Sequence, residues 1–164
     1  MNKRSGLIRV LSLLSVLVLV GIIFYSSLSS GYESNKASEE VALFITNAIR
    51  GILNFPPVEP DSKFLDVVNA IVRKFAHFTE YLILCGSMYF ACHKFCISGK
   101  KTKIISLILT LALACIDETI QFFVPGRDGR VTDVFIDASG AVIALAVIKL
   151  FDIMAFRKKQ GTEN

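Results

Sequence analysis

The stretch CIDETIQFFVPGRDGRVTDVFIDASG, Cys115 to Gly140, decides how this chain is read. It leaves one apolar run, Ile104 to Cys115, and leads into another, Ala141 to Leu150. Yet it carries Asp117, Glu118, Asp133 and Asp137 against or inside those runs. A charged side chain at the centre of a bilayer costs roughly 2.5–3.5 kcal/mol on insertion scales. Carboxylates in that setting require partners, a polar cavity or a chemical task.

The whole-chain composition says that the setting is a membrane. The 164 residues are 53% hydrophobic and only 20% charged, with a mean hydropathy of +0.57. An ordinary soluble domain carries about 25% charge. Apolar runs occupy Leu7 to Leu28, Phe75 to Phe95, Ile104 to Val124 and Val134 to Phe156, and a helix needs about 20 residues to span a bilayer. The expected fold is all-α: an integral membrane bundle of four transmembrane helices with amphipathic helices in the first outer loop. Its expected divisions are residues 1–28 (first transmembrane helix), 29–72 (outer amphipathic loop), 73–156 (three-helix membrane domain) and 157–164 (tail). Met-Asn-Lys-Arg before the first run, with small residues at Ser26 to Ser30, also fits a cleaved signal peptide. The run is long for that role, where about 7–15 residues is usual, so a retained helix is expected.

In the outer loop, Ser38 with Glu39 and Glu40 reads as a capped helix start. Val41, Phe44, Ile45, Ala48, Ile49, Ile52 and Leu53 then recur at helical spacing. Pro56, Pro57 and Pro60 break the chain, and Asp61 or Ser62 can cap a second amphipathic stretch through Val72. Lysines and arginines favour the side holding both termini and the Lys94 to Lys103 link, which the positive-inside rule makes cytoplasmic. The net charge of +4 is too small to argue for nucleic acid. Cys92 and Cys96 have an i,i+4 spacing but lack a third and fourth ligand nearby, so no metal and no cofactor is assigned.

With that topology the ionisable groups of three helices share one depth near the outer surface, within roughly 5–12 Å of the helix ends at 1.5 Å per residue. They also share faces. Arg73, His77 and Glu80–Tyr81 form one stripe; Asp117, Glu118 and Gln121 form a second; Asp133, Asp137, Gly140 and Ala144 form a third. Small residues in the last allow close helix approach. The Pro-Gly and Asp-Gly signals of VPGRDGRVTD let the loop fold back, so Arg73, Lys74, Arg127 and Arg130 can pair with the carboxylates as a clamp. Beyond bracing, such a layer can bind a lipid headgroup through its arginines, transfer protons through His77 or hold a divalent cation.

RKFAHFTEY and DETIQFFVPGRDGRVTDVFIDASG together resemble the VanZ-like membrane proteins. The shared pattern is a basic pair then Ala-His-Phe, Asp-Glu-x-x-Gln, Pro-Gly-Arg, and an Asp before a helix with a glycine. It runs in order from Arg73 to Gly140. The resemblance implies a bacterial cell-membrane protein of a kind linked to reduced susceptibility to teicoplanin. Its matching residues are Lys74, His77, Glu80, Asp117, Glu118, Gln121, Arg127, Asp133 and Gly140. Asp137 departs from a common Asn and Ala144 from a common Gly.

The expected function is therefore binding of an amphiphile, a lipoglycopeptide antibiotic or a cell-wall lipid headgroup, in a charged outer-leaflet site. Its residues are Arg73, Lys74, His77, Glu80, Asp117, Glu118, Gln121, Arg127, Arg130, Asp133 and Asp137. The expected partners are membrane lipids, the antibiotic or a lipid-linked cell-wall precursor. No catalytic residue is assigned. The alternative is an intramembrane enzyme on a lipid-linked substrate, with His77, Glu80 and Glu118 as acid and base.

Overall fold

Five helices build the protein in its computed structural model, which describes residues 3–60, 62–95 and 99–161. They are α1 (Lys3–Leu28), α2 (Gly31–Ile52), α3 (Lys63–Lys94), α4 (Lys100–Phe123) and α5 (Val131–Gly161), with no strand among the described residues. Met1, Asn2, Asp61, Cys96 and the tail beyond Gly161 lie outside them, and with them Asp61 as a cap and Cys96 as a thiol ligand.

Among the described residues, three stretches are long and apolar enough to cross a membrane: Ser5–Leu28, Lys100–Phe123 and Val131–Ala155. Their large apolar side chains point outward, as Leu11, Leu17, Ile108, Val142 and Leu150 do. That is the inside-out pattern expected when the solvent is hydrocarbon. The expected fourth span is not among them. Lys74, His77, Glu80, His93 and Lys94 dilute the apolar run of α3.

Two local expectations are corrected. The first outer helix starts at Gly31, not near Ser38. Ser30 caps it: its hydroxyl accepts from the Glu33 N–H and its own N–H donates to Glu33 Oε2, both at 3.3 Å. This capping box satisfies two donors that a later start would leave free. Ser38 instead donates back to Ser34 and Asn35 carbonyls inside the helix. Nor is there a break between Val72 and Phe75. Ser62 caps a single helix through Leu65 N–H, and α3 runs on to Lys94, about 48 Å at 1.5 Å per residue. No proline or glycine interrupts residues 63–85, so nothing there forces a second start.

Helix α3 packs against each of the other four. Its first half pairs antiparallel with α2, where Asn69 donates to Asn35 at 3.0 Å and Leu65 lies buried. Its second half meets α1, α4 and α5. The α3–α5 approach is set by Gly140: a Cβ added there would stand 2.3 Å from the Phe78 carbonyl oxygen. Ala141 and Ala144 continue that seam against Cys85. A second close approach ties the corners, since Gly31 N–H donates to the Pro125 carbonyl at 3.1 Å. A Cβ on Gly31 would overlap the Gly126 carbonyl.

Candidate functional site: a polar core at one end of the bundle

The end of the bundle holding the α1–α2 corner and the α4–α5 loop collects the expected residues. Asp117, Glu118 and Gln121 are buried together on α4, and Asp137 on α5 is fully buried. His77, from α3, places Nδ1 3.6 Å from Asp137 Oδ1. One ligand atom from each of His77, Asp117 and Glu118 lies within 4.8 Å of the others. Residues 40 or more apart in sequence thus meet because α3 runs beside both α4 and α5.

Gln121 joins the acids on α4. Its amide nitrogen reaches Asp117 Oδ2 at 3.0 Å and Glu118 Oε1 at 3.4 Å. Ser27 of α1 donates to Asp117 Oδ1, and the Tyr81 hydroxyl lies beside the same carboxylate. Glu118 Oε2 accepts from the Arg130 backbone N–H at 2.8 Å, so the loop folds back as expected but offers its backbone.

The expected arginine clamp is not formed. Ion pairs form instead at His77–Asp137, Lys103–Asp152 and Arg130–Asp128. Arg130 is turned to its exposed loop neighbour. Arg127 donates to the Ser26 carbonyl at 2.7 Å and leaves its buried Nε without a partner. Burial, and then the like charge of Arg73, pulls the Arg127 pKa below its ordinary value, against the opposing pull of Asp117, Glu118 and Glu80. A guanidinium still keeps its charge under such shifts. The loop is held instead by the Gly31 N–H to Pro125 carbonyl bond and by the Arg130 N–H on the Glu118 carboxylate. These leave the Arg130 side chain outside and the Arg127 guanidinium on the Ser26 carbonyl. His77 reaches α5 through Asp137 as well as the acids of α4.

Two clefts open beside this core. A larger one of about 650 Å³ is walled by Ser27, Glu33, Arg73, His77, Glu80 and Arg127. A smaller one of about 150 Å³ is lined by Arg73, Lys74, His77, Asp128, Arg130 and Asp133. Lys74, Arg130 and Asp133 therefore stand at the rim, apart from the buried acids. Missed from sequence were Ser27, whose serine-rich surroundings read only as small residues, and the Arg130 N–H, which leaves no side-chain signal.

Fold and site together define a helical membrane protein with a buried polar core gathered at one end. Within that class the chain belongs to the VanZ/LLP1 family, whose model matches residues 12–152. The match takes in α1 and α2 as well as the motif-bearing helices, so the Ser27 contact falls inside the family region. No curated protein and no solved structure matches the chain.

Proposed function

We propose that this protein binds an amphiphile at its charged end, in the outer leaflet of a bacterial cell membrane, and thereby lowers susceptibility to teicoplanin-type antibiotics. The observation that carries this reading is a pair of adjoining cavities. The large cleft has Arg73, His77, Glu80 and Arg127 on its wall. It shares Ala76 and Glu80 with an apolar groove of about 240 Å³, lined by Leu19, Ile22, Ile23, Ala76, Thr79 and Ile83. A headgroup seated against Arg73 and Arg127 would leave its hydrocarbon tail against the α1–α3 groove. The unpartnered Arg127 Nε suits an anionic headgroup, since charge-assisted N–H bonds to such oxygens are the strong ones. In this arrangement α3 is the fourth crossing and both termini are cytoplasmic. The ligand is a lipoglycopeptide or a lipid-linked cell-wall precursor.

Two measurements test the reading. In a cysteine-free background, cysteine at exposed Thr132 is expected to react with an impermeant reagent in intact cells, and cysteine at exposed Lys101 is not. The reverse labelling overturns the sidedness. Expression in a susceptible bacterium is expected to raise the inhibitory concentration of teicoplanin, and Arg73→Gln with Arg127→Gln to abolish the gain. Unchanged susceptibility in the double variant removes the arginines from the function. Product formation from a purified lipid-linked substrate would replace binding with the acid–base enzyme.

A further inference from the structure

The geometry points to a divalent transition-metal site, Zn²⁺ in first place, formed by His77, Asp117, Glu118 and Asp137 in the buried core. Among the buried polar atoms here without a hydrogen-bond partner are His77 Nδ1 and both carboxylate oxygens of Asp137. His77 Nδ1 and Asp137 Oδ1 face each other at 3.6 Å, with Asp137 fully buried. That separation is too long for a hydrogen bond. It does match the spread of two neighbouring ligands on a tetrahedral ion, about 3.3–3.6 Å for bonds of 2.0–2.2 Å. One ligand atom from each of His77, Asp117 and Glu118 lies within 4.8 Å of the others. Asp137 stands beside this trio, 3.6 Å from His77 Nδ1. It joins as fourth ligand when the imidazole and its own carboxylate turn toward the two α4 acids.

Charge argues the same way. Three buried carboxylates face one imidazole, and no lysine or arginine among the described residues pairs with them. Buried charges are ordinarily paired or coordinate metals. A dication cancels most of the excess, and nearby Arg127 faces the remainder. One imidazole with three carboxylates is a nitrogen–oxygen donor set, which suits zinc better than the all-oxygen shells favoured by calcium and magnesium. Both clefts reach His77, which gives the ion a route from the aqueous surface. The cysteines Cys85, Cys92 and Cys115 stand free, but none belongs to this cluster.

The full chain, purified in detergent without added amphiphile, is stripped with EDTA, freed of chelator and titrated with Zn²⁺, with Mg²⁺ and Ca²⁺ as comparison ions. Ion binding and headgroup binding therefore succeed or fail separately. One Zn²⁺ per chain is expected, with displacement of Co²⁺ that shows intense tetrahedral absorption. Asp137→Asn and His77→Gln are each expected to weaken Zn²⁺ binding at least tenfold, and Asp152→Asn at the far end to leave it unchanged. Zinc-edge X-ray absorption on the unaltered chain decides the matter even if a variant fails to fold: imidazole and oxygen neighbours are expected. Absence of Zn²⁺ uptake, uptake indifferent to both substitutions, or sulfur neighbours would each overturn the site.

Discussion

Helix α4 carries two buried polar halves on one face, and they are kept stable in different ways. Toward its start, Thr102, Ser106 and Thr110 are fully buried; toward its end, Asp117, Glu118 and Gln121 are nearly so. In the hydroxyl half the buried Thr110 hydroxyl has no hydrogen-bond partner, and Ser106 is served by its own helix. Ser106 donates to the Thr102 carbonyl one turn back at 2.8 Å, a bond the helix supplies without help. The acidic half depends on others: Ser27 from α1, His77 from α3 and Arg130 N–H from the loop. A hydroxyl in a membrane helix can be silent, whereas a carboxylate recruits neighbours and so specifies which helices meet.

The strongest way to break the acidic half is to separate the helices that serve it. Gly140→Ala forces a Cβ against the Phe78 carbonyl. A loss of about 1–3 kcal/mol is expected, the range for overpacking, measured by denaturation in detergent. Gly86→Ala in α3 meets nothing within 4 Å and is expected to be neutral or to stabilise by up to about 1 kcal/mol through helix propensity. Equal effects at the two glycines would mean that the α3–α5 seam does not organise the core.

Next comes Glu118→Ala, which strands the Arg130 N–H. A cost of about 1 kcal/mol is expected for loss of this part-buried bond, and Glu118→Gln, which keeps an acceptor, should recover most of it. Both are compared by melting with chelator present. Thr119→Ala on the same turn removes only an exposed bond to its own helix and should stay within about 0.5 kcal/mol.

In the hydroxyl half, Ser106→Ala should cost no more than about 1 kcal/mol, since the Thr102 carbonyl lies within the helix ladder. A larger loss would show that this half also recruits partners. The smallest effect belongs to Lys103–Asp152, a 3.0 Å pair whose acid is 59% exposed. Lys103→Met should shift stability by well under about 1 kcal/mol, and added salt should shrink even that.

The same contrast explains what was legible in the sequence. Periodicity marked the faces correctly, because a bilayer forces polar groups inward: Asp117 with Gln121, and Asp137 with Gly140, are buried as their spacing requires. Partner choice was harder. Arg127 and Arg130 sit beside the acids in sequence, yet Arg130 pairs with Asp128 and Arg127 donates to the Ser26 carbonyl instead. Ser27 lies 90 residues from Asp117, and no local spacing announces such a pair. The continuity of α3 was hidden for a different reason: a change from amphipathic to apolar character looks like a boundary, although only a proline, a glycine or a new cap would make one. A divalent cation was legible only as one of three uses of the layer, because which donors meet depends on how three helices pack.

The tie between α1 and α4 has a consequence for synthesis. Ser27, Ser26 and Gly31 find Asp117, Arg127 and Pro125 only across 90 or more residues of chain. Helix α1 can pack on α3 beforehand, but its polar bonds to Asp117 and Arg127 are made only after α4 and its loop have followed. Asp137 comes later still, on the last of the five helices, and is the carboxylate most deeply enclosed. Any pause in translation between α4 and α5 would leave His77 facing lipid without its partner. A chaperoning insertase should be needed most at that moment.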